Sequence, residues 1–292
     1  MATLHNPYGE LTGGRWLLGN LHTHTTRSDG QRDPQAVIAD YAERGHGFLM
    51  LSDHDCWFGD AELAALEPMG MILVPGTEIT AHGPHMLHVG APGPVAPHAD
   101  RQQVVNDIAA TGGFAVFNHP NWFADFDHCP QSLLSEVQGY LGLEIYNGVI
   151  SRLPGSPYAT NRWDMLLTRG RRLWGFANDD SHAAQFDVGL GWNVAYVTDE
   201  TAAGVTRALR EGRFYASTGV EITDIETDGL SLRIETANAA RVVALREGAQ
   251  RLAQVDAPSL EVEVPADARY VRFECWGCGE AFAWTQPFFV VP

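Results

Sequence analysis

At 292 residues, 45% of them hydrophobic, the chain is long enough to bury a full core without disulfides, as one large α/β domain with an appendage or as two ordinary domains. Its formal charge of −17 excludes a long nucleic acid as the main partner, while a small anion in a locally positive pocket stays compatible with it. All 19 basic residues are arginines, which excludes Schiff-base lysines, pyridoxal-phosphate attachment and a P-loop lysine. No run approaches the roughly 18 uninterrupted apolar residues of a membrane span, and MATLHNPYGELTGG lacks the basic and apolar regions of a secretory leader. The expectation is a soluble, cytoplasmic protein whose four cysteines, Cys56, Cys129, Cys275 and Cys278, are reduced thiols.

From Trp16 onward one pattern repeats: a short apolar run, metal-type side chains at its end, then a helical stretch. The first run, Leu17 to Gly30, carries His22-x-His24 and then Asp29, and a helix is expected from Asp33 to Glu43, with Pro34 in its first turn. Phe48 to Leu51 ends in Ser52-Asp53-His54-Asp55, and Met71 to Pro75 ends in Gly76-Thr77-Glu78. A run around Met86 to Gly90 is preceded by His85 and contains His88. After a helix across Arg101 to Thr111, Phe114 to Phe117 ends in Asn118-His119-Pro120. Leu141 to Tyr146 ends in Asn147-Gly148, and Leu173 to Ala177 ends in Asn178-Asp179-Asp180-Ser181-His182. Trp192 to Val197 and a helix from Glu200 to Arg210 complete the series. Strands alternating with helices predict parallel pairing with crossover helices, and in a closed barrel of that kind the active site lies at the strand C-termini. After Gly219 the texture changes to short alternating segments, Leu230 to Ile234, Val242 to Leu245, Leu260 to Val264 and Tyr270 to Trp276. These predict a small antiparallel β-unit with no metal ligand, and Cys275-Trp-Gly-Cys278 reads as a strand-end turn. The expected division is 1–219 and 220–292.

Side chains at i and i+2 of an extended segment face one way, so His22 and His24 are placed to grip one ion. Concentration of His, Asp and Glu at the ends of apolar runs, instead of on scattered helix faces, points to a site holding several metal ions. Mixed imidazole and carboxylate donors suit Zn²⁺, Mn²⁺ or Fe, and do not suit calcium or soft copper sites. Arg27, between His24 and Asp29, and Arg152, after the sixth run, are the candidates to clamp a phosphate. Asp53, Asp55 and Asp179 border ligand candidates and are expected to orient histidines or move protons. His5, His46, His98 and His128 sit at no strand end and read as surface or core residues.

Taken in order, His22-x-His24, Asp29, Asp53-His54, Glu78, His119 and Asp180-x-His182 resemble the motifs of the polymerase and histidinol phosphatase (PHP) superfamily over about Trp16 to Thr198. Gly19-Asn20-Leu21, Glu144-Ile-Tyr-Asn147-Gly, the stretch Glu211 to Gly219 and Ala283-Trp-Thr-Gln-Pro287 look like its stand-alone branch that includes carbaryl hydrolase. The fold this resemblance implies is α/β, a distorted (β/α)7 PHP barrel with the small C-terminal antiparallel β-unit. It implies two or three divalent ions. His22, His24 and Asp180 would hold the first together with Glu78, which bridges to the second. His119 and either His85 or His88 would complete the second, with His85 favoured by its spacing and His82 a third choice. Asp29, His54 and His182 would hold the third. The expected activity is hydrolysis of a small, anionic phosphate ester, a nucleotide or sugar phosphate, by water activated between the ions. Two alternatives stand beside it, a carboxylester or carbamate hydrolase on the same metals and a non-catalytic metal-binding scaffold.

Overall fold

The computed structural model describes residues 2–291. Its helices begin and end where local chemistry satisfies their end groups. Asp33 caps Pro34–Glu43 by accepting from the Ala36 amide, and Asp100 caps Arg101–Thr111 by accepting from Gln102. Thr201 accepts from Gly204 to cap Ala202–Glu211. The last two helices stop at Gly112 and Gly212, with φ of 95° and 79°, a left-handed backbone that glycine adopts without penalty. The helix Thr160–Thr168, which the sequence reading leaves without an element, buries Trp163, Leu166 and Leu167.

The strands form mixed sheets. In the five-stranded one the order is Gly76–Ile79, Met86–Val89, Phe114–Phe117, Gly142–Asn147, Trp174–Asn178. Its last three strands pair in parallel, as expected, but Met86–Val89 is antiparallel to both neighbours. Only residues 80–85 connect it to the strand before, and a parallel crossover takes about a dozen residues or more. In the largest sheet Arg15–Asn20 is parallel to Phe48–Leu49 and antiparallel to Trp192–Val197. The all-parallel expectation is thus corrected to a mixed arrangement. Among the described residues the two sheets share no continuous ladder. They touch through isolated parallel bridges, Thr23 to Ser181, both beyond strand ends, and His54 to Glu78, with Glu78 within Gly76–Ile79.

The largest sheet continues through Phe214–Ser217 into Phe282–Trp284, Tyr270–Trp276 and Phe288–Val291, all antiparallel. A separate three-stranded sheet, Ile222–Asp228, Ser231–Thr236 and Ser259–Glu263, packs its apolar face beneath them. The C-terminal part is fastened to the rest by polar contacts that burial makes strong. The Gln286 side chain accepts from the Gly175 amide and donates to its carbonyl, each at 2.9 Å. Arg272, buried, donates to both oxygens of Asp164 on Thr160–Thr168. Cys275 is buried in its strand, Cys278 is exposed, and the chain turns between them as expected, with the Gly277 amide donating to Ala281. The main core, with Phe117, Trp163 and Phe176, fills the space between the sheets and the helices. No helix among the described residues is long and apolar enough to cross a membrane.

Candidate metal centre

The strand Arg15–Asn20 delivers His22 and His24 just beyond its end, with ring centroids 5.2 Å apart. Their Nε2 atoms lie 3.2 and 3.0 Å from the same oxygen, Oδ1 of Asp180. Asp180 arrives from the end of Trp174–Asn178, with its amide donating to the His22 carbonyl at 2.9 Å. Two segments more than 150 positions apart in sequence therefore meet side by side.

Glu78 stands at the centre. Its Oε1 lies 3.3 Å from His22 Nε2, 3.2 Å from His85 Nδ1 and 3.4 Å from His119 Nε2. Its Oε2 lies 2.6 Å from His54 Nδ1 and 3.6 Å from His24 Nε2. Burial alone pushes the Glu78 carboxyl up, but His22, His85 and His119 outweigh it and hold the group well below the usual carboxylate range. Asp180 is lowered in the same way, with burial opposed by His22 and His24. His54, which burial pushes down, is raised to about 9 by Glu78 and Asp29. Asp29, exposed at the rim, places Oδ1 3.4 Å from His182 Nε2 and Oδ2 3.5 Å from His54 Nε2.

Whether these residues suit metal ions is tested by their unpaired atoms. His22 Nε2, His24 Nε2, His54 Nδ1, Glu78 Oε2 and His119 Nδ1 are buried without a hydrogen-bond partner. Buried polar atoms are ordinarily paired, and leaving one unpaired costs about 1–3 kcal/mol. Here ligand atoms gather within 4.8 Å in the sets His22, His24, Asp180; His24, Asp29, His54, His182; and His54, Glu78, His85. A concentration of electron-pair donors around two carboxylates fits divalent cations. His119 and Asp180 also carry positive φ, 28° and 57°, an uncommon backbone for such residues and one that clusters at functional sites.

The antiparallel direction of Met86–Val89 separates the two histidines left open by the sequence. His85, just before that strand, lies at the edge where the parallel strands end. His88, further along, has Nε2 3.1 Å from Thr111 Oγ1, and burial lowers it to about 4. It belongs to none of the ligand clusters among the described residues. His82 is exposed. His128, read as an ordinary surface or core histidine, is buried against the site, its ring 4.6 Å from His85 and 4.7 Å from His119. Its Nε2 accepts from the His85 amide at 3.0 Å. It lies in a loop, so no strand-end pattern marks it.

Glu144 is the largest omission. Its Oε1 accepts from His22 Nδ1 at 2.8 Å and Asn178 Nδ2 at 2.9 Å, and its Oε2 accepts from the His119 amide and Asn147 Nδ2, both at 2.8 Å. Burial pushes His22 down, but Asp180, Glu144 and Glu78 outweigh it and raise the imidazole well above its ordinary value; with Nδ1 donating to Glu144, Nε2 is the ring nitrogen that would give up its proton to bind an ion. The available signal was an acidic residue inside the apolar run LGLEIYN. Asn118 Nδ2 donates to Glu78 Oε1 at 2.7 Å in a similar way.

The six residues expected to do chemistry at the cluster or to border its ligands divide. Asp29 is in the cluster. Asp53, fully buried, accepts from the amides of Thr25 and Ser28 and from both hydroxyls, so it shapes the loop between His24 and Asp29. Asp55 accepts from the Thr80 and Ala81 amides on the exposed side of the Glu78 strand. Arg27 is exposed and paired with Glu62. Arg152 donates twice to Asp187 at 2.7 Å, and Asp187 in turn accepts from the amides of His182 and Ala183. Asp179 accepts from the Gly189, Leu190 and Gly191 amides and from Tyr41; burial pushes it up to about 6.

Above the cluster lies a cavity of about 200 Å³. It is lined by Asp29, His54, His85, His119, Asp180 and His182 and by the apolar side chains of Trp122, Val149, Ile150 and Leu153.

No family model matches the chain. Over 96% of its length it superposes on a crystal structure from Bacteroides vulgatus, covering 88% of that chain with a TM-score of 0.58 at 17% identity. That structure is of a two-domain protein containing a predicted PHP-like metal-dependent phosphoesterase. The chain shares its fold. A curated relative, the 3',5'-nucleoside bisphosphate phosphatase of Chromobacterium violaceum, is 39% identical over 72 residues. The match spans 24% of this chain and 25% of that enzyme.

Proposed function

We propose that the chain is a metal-dependent hydrolase of the PHP superfamily, a phosphoesterase cleaving a small phosphate ester. The observation that carries this reading is the convergence of unpaired, buried imidazole nitrogens and Glu78 Oε2 beneath a cavity open to small molecules. The similarity to a nucleoside bisphosphate phosphatase, and the fold shared with a protein containing a predicted PHP-like phosphoesterase, support phosphate as the group attacked.

In this reading His22, His24, Asp180 and Glu78 would hold one ion, Glu78, His85 and His119 a second, and Asp29, His54 and His182 a third, of Zn, Mn or Fe character. Bound ions of this kind acidify water and offset charge on a phosphoryl oxygen. Hydrolysis then joins a water oxygen to phosphorus, breaks the ester P–O bond and releases the alcohol with a proton. The protein's own part is to fix the donors: Glu144 sets the His22 ring, Asn118 holds Glu78, and Asp187 holds the backbone of His182. The two sheets, joined at His54–Glu78 and Thr23–Ser181, are read as halves of one distorted seven-stranded barrel, with a C-terminal β-rich unit from about residue 220. The four free cysteines favour a reducing, cytoplasmic setting.

A second reading, hydrolysis of carboxylesters or carbamates as in the carbaryl-hydrolase branch, is favoured by one observation: among the described residues no arginine lines the cavity. Elemental analysis of purified protein, followed by hydrolysis assays with Mn²⁺ on phosphomonoesters, phosphodiesters and aryl carbamates, tests both. Phosphate-ester turnover with two or three bound metals supports the first reading, and far faster carbamate or carboxylester turnover replaces it with the second.

A further inference from the structure

Resting on the phosphoesterase reading, we infer that Trp122 is a specificity residue that selects esters whose leaving group carries a flat aromatic ring. Beside the ligand candidates, the cavity over the cluster is lined by four apolar side chains, Trp122, Val149, Ile150 and Leu153. Val149 and Ile150 are 4% and 2% exposed, so they are fixed in the fold and not a mobile fringe. Trp122 lines the same cavity. Its ring stacks on Phe123 at 4.3 Å with the planes 24° apart, and meets His119 edge-on at 5.0 Å. One indole face is thereby backed, while the residue still lines the cavity.

The aromatic loop is held in place before any ligand arrives. Trp122 bridges to Gly155, where an added Cβ would fall 2.5 Å from the Asn121 carbonyl, so only glycine permits the approach. The Ser156 amide donates to that same carbonyl at 3.0 Å. Arg162, on the helix Thr160–Thr168, donates to Asn121 Oδ1, to the Phe126 carbonyl and to Asp127. Such preorganisation means that a ring sliding beside Trp122 meets a surface whose ordering is already complete.

Electrostatics points the same way. Arg27 and Arg152 are each engaged by a carboxylate and neither lines the cavity, so a second phosphate on the substrate would meet no arginine there. A cavity of about 200 Å³ exceeds by little the roughly 150 Å³ that accepts a benzene-sized ring. A phosphoryl group at the cluster with one ring against Trp122 matches both the volume and the polarity, because a flat apolar group loses water against the indole there. A polyhydroxylated sugar would bring hydroxyls against Val149, Ile150 and Leu153 with nothing to bond.

The test compares benzyl phosphate with glycerol phosphate on the metal-loaded protein, since both leave as alkanols and differ mainly in the ring. Binding of benzylphosphonate and methylphosphonate by calorimetry is measured in parallel, giving a readout that needs no turnover. The expected result is a preference of at least tenfold for the benzyl compound in both kcat/KM and affinity. Trp122→Ala should cut that ratio about tenfold at unchanged metal content, and Trp122→Phe should keep most of it. Equal handling of the two phosphates and two phosphonates overturns the inference while the phosphoesterase reading stands. An unchanged ratio in a folded, metal-loaded Trp122→Ala protein also overturns it. If neither phosphate is cleaved and neither phosphonate binds, it is the phosphoesterase reading that fails.

Discussion

Replacing Glu144 by glutamine should weaken metal binding although Glu144 touches no ion in the proposed site. Each of its oxygens takes two buried donors: His22 Nδ1 and Asn178 Nδ2 on one, the His119 amide and Asn147 Nδ2 on the other. A glutamine NH₂ therefore faces two N–H groups whichever way it is turned. Facing His22, it drives the imidazole proton from Nδ1 to Nε2, the atom needed for coordination, while Asn178 is prevented from flipping because its Oδ1 accepts from the Leu21 amide and from Asn193. Facing the other way, it meets the His119 backbone N–H, which has no alternative tautomer. Losing the partner that orients a ligating histidine costs about 10- to 100-fold in metal affinity, or about 1.4–2.8 kcal/mol. The buried donor left unpaired should cost the metal-free protein about 1–3 kcal/mol of stability. Competition with a chromophoric chelator for Zn²⁺ measures the first quantity and denaturant unfolding of metal-free protein the second. Affinity within twofold of the parent, together with unchanged unfolding, would refute the role assigned to Glu144.

Glu78→Gln should lower metal content by more than one equivalent in elemental analysis, because both carboxylate oxygens lie among different histidines; loss of a single equivalent would make Glu78 a terminal ligand. Arg27→Ala should leave kcat/KM within about threefold, as expected of an exposed ion pair, whereas Arg152→Ala should lower metal occupancy by freeing Asp187 from its place under the His182 amide. A tenfold or greater activity loss in Arg27→Ala at full metal content would instead place its guanidinium on the substrate. Burial holds His46 down at about 4 in the fold against about 6.5 unfolded, so above pH 6.5 both states are neutral and its contribution is complete. As pH falls from 6.5 toward 4 the unfolded chain alone takes up the proton, removing up to about 3 kcal/mol, and His46→Phe should flatten this acid limb in melts of metal-free protein. Arg272→Met should destabilise the fold by about 3–5 kcal/mol, since it leaves the buried Asp164 carboxylate without its bidentate partner; a change under 1 kcal/mol in urea unfolding would mean that water reaches Asp164.

Much of the layout could be read from local chemistry because local chemistry decides it. The helices Pro34–Glu43 and Arg101–Thr111 follow from an Asp cap, apolar residues at helical spacing and a glycine stop, and the runs Phe114–Phe117 and Trp192–Val197 are strands as their composition suggests. Placement of His, Asp and Glu at the ends of such runs is likewise a one-dimensional pattern. What the pattern leaves open is direction. Nothing in MLHV specifies that this strand runs against its neighbours, yet that direction puts His85 at the cluster and His88 at Thr111. Arginines near ligands in sequence look alike on paper, and only tertiary packing pairs Arg27 with Glu62 and Arg152 with Asp187. Glu144 and His128 escape for the same reason, since each acts through a partner far away in the chain. Sequence spacing determines which residues share a face over a few positions; which faces meet is decided by the burial of the whole core, and the site lies where they meet.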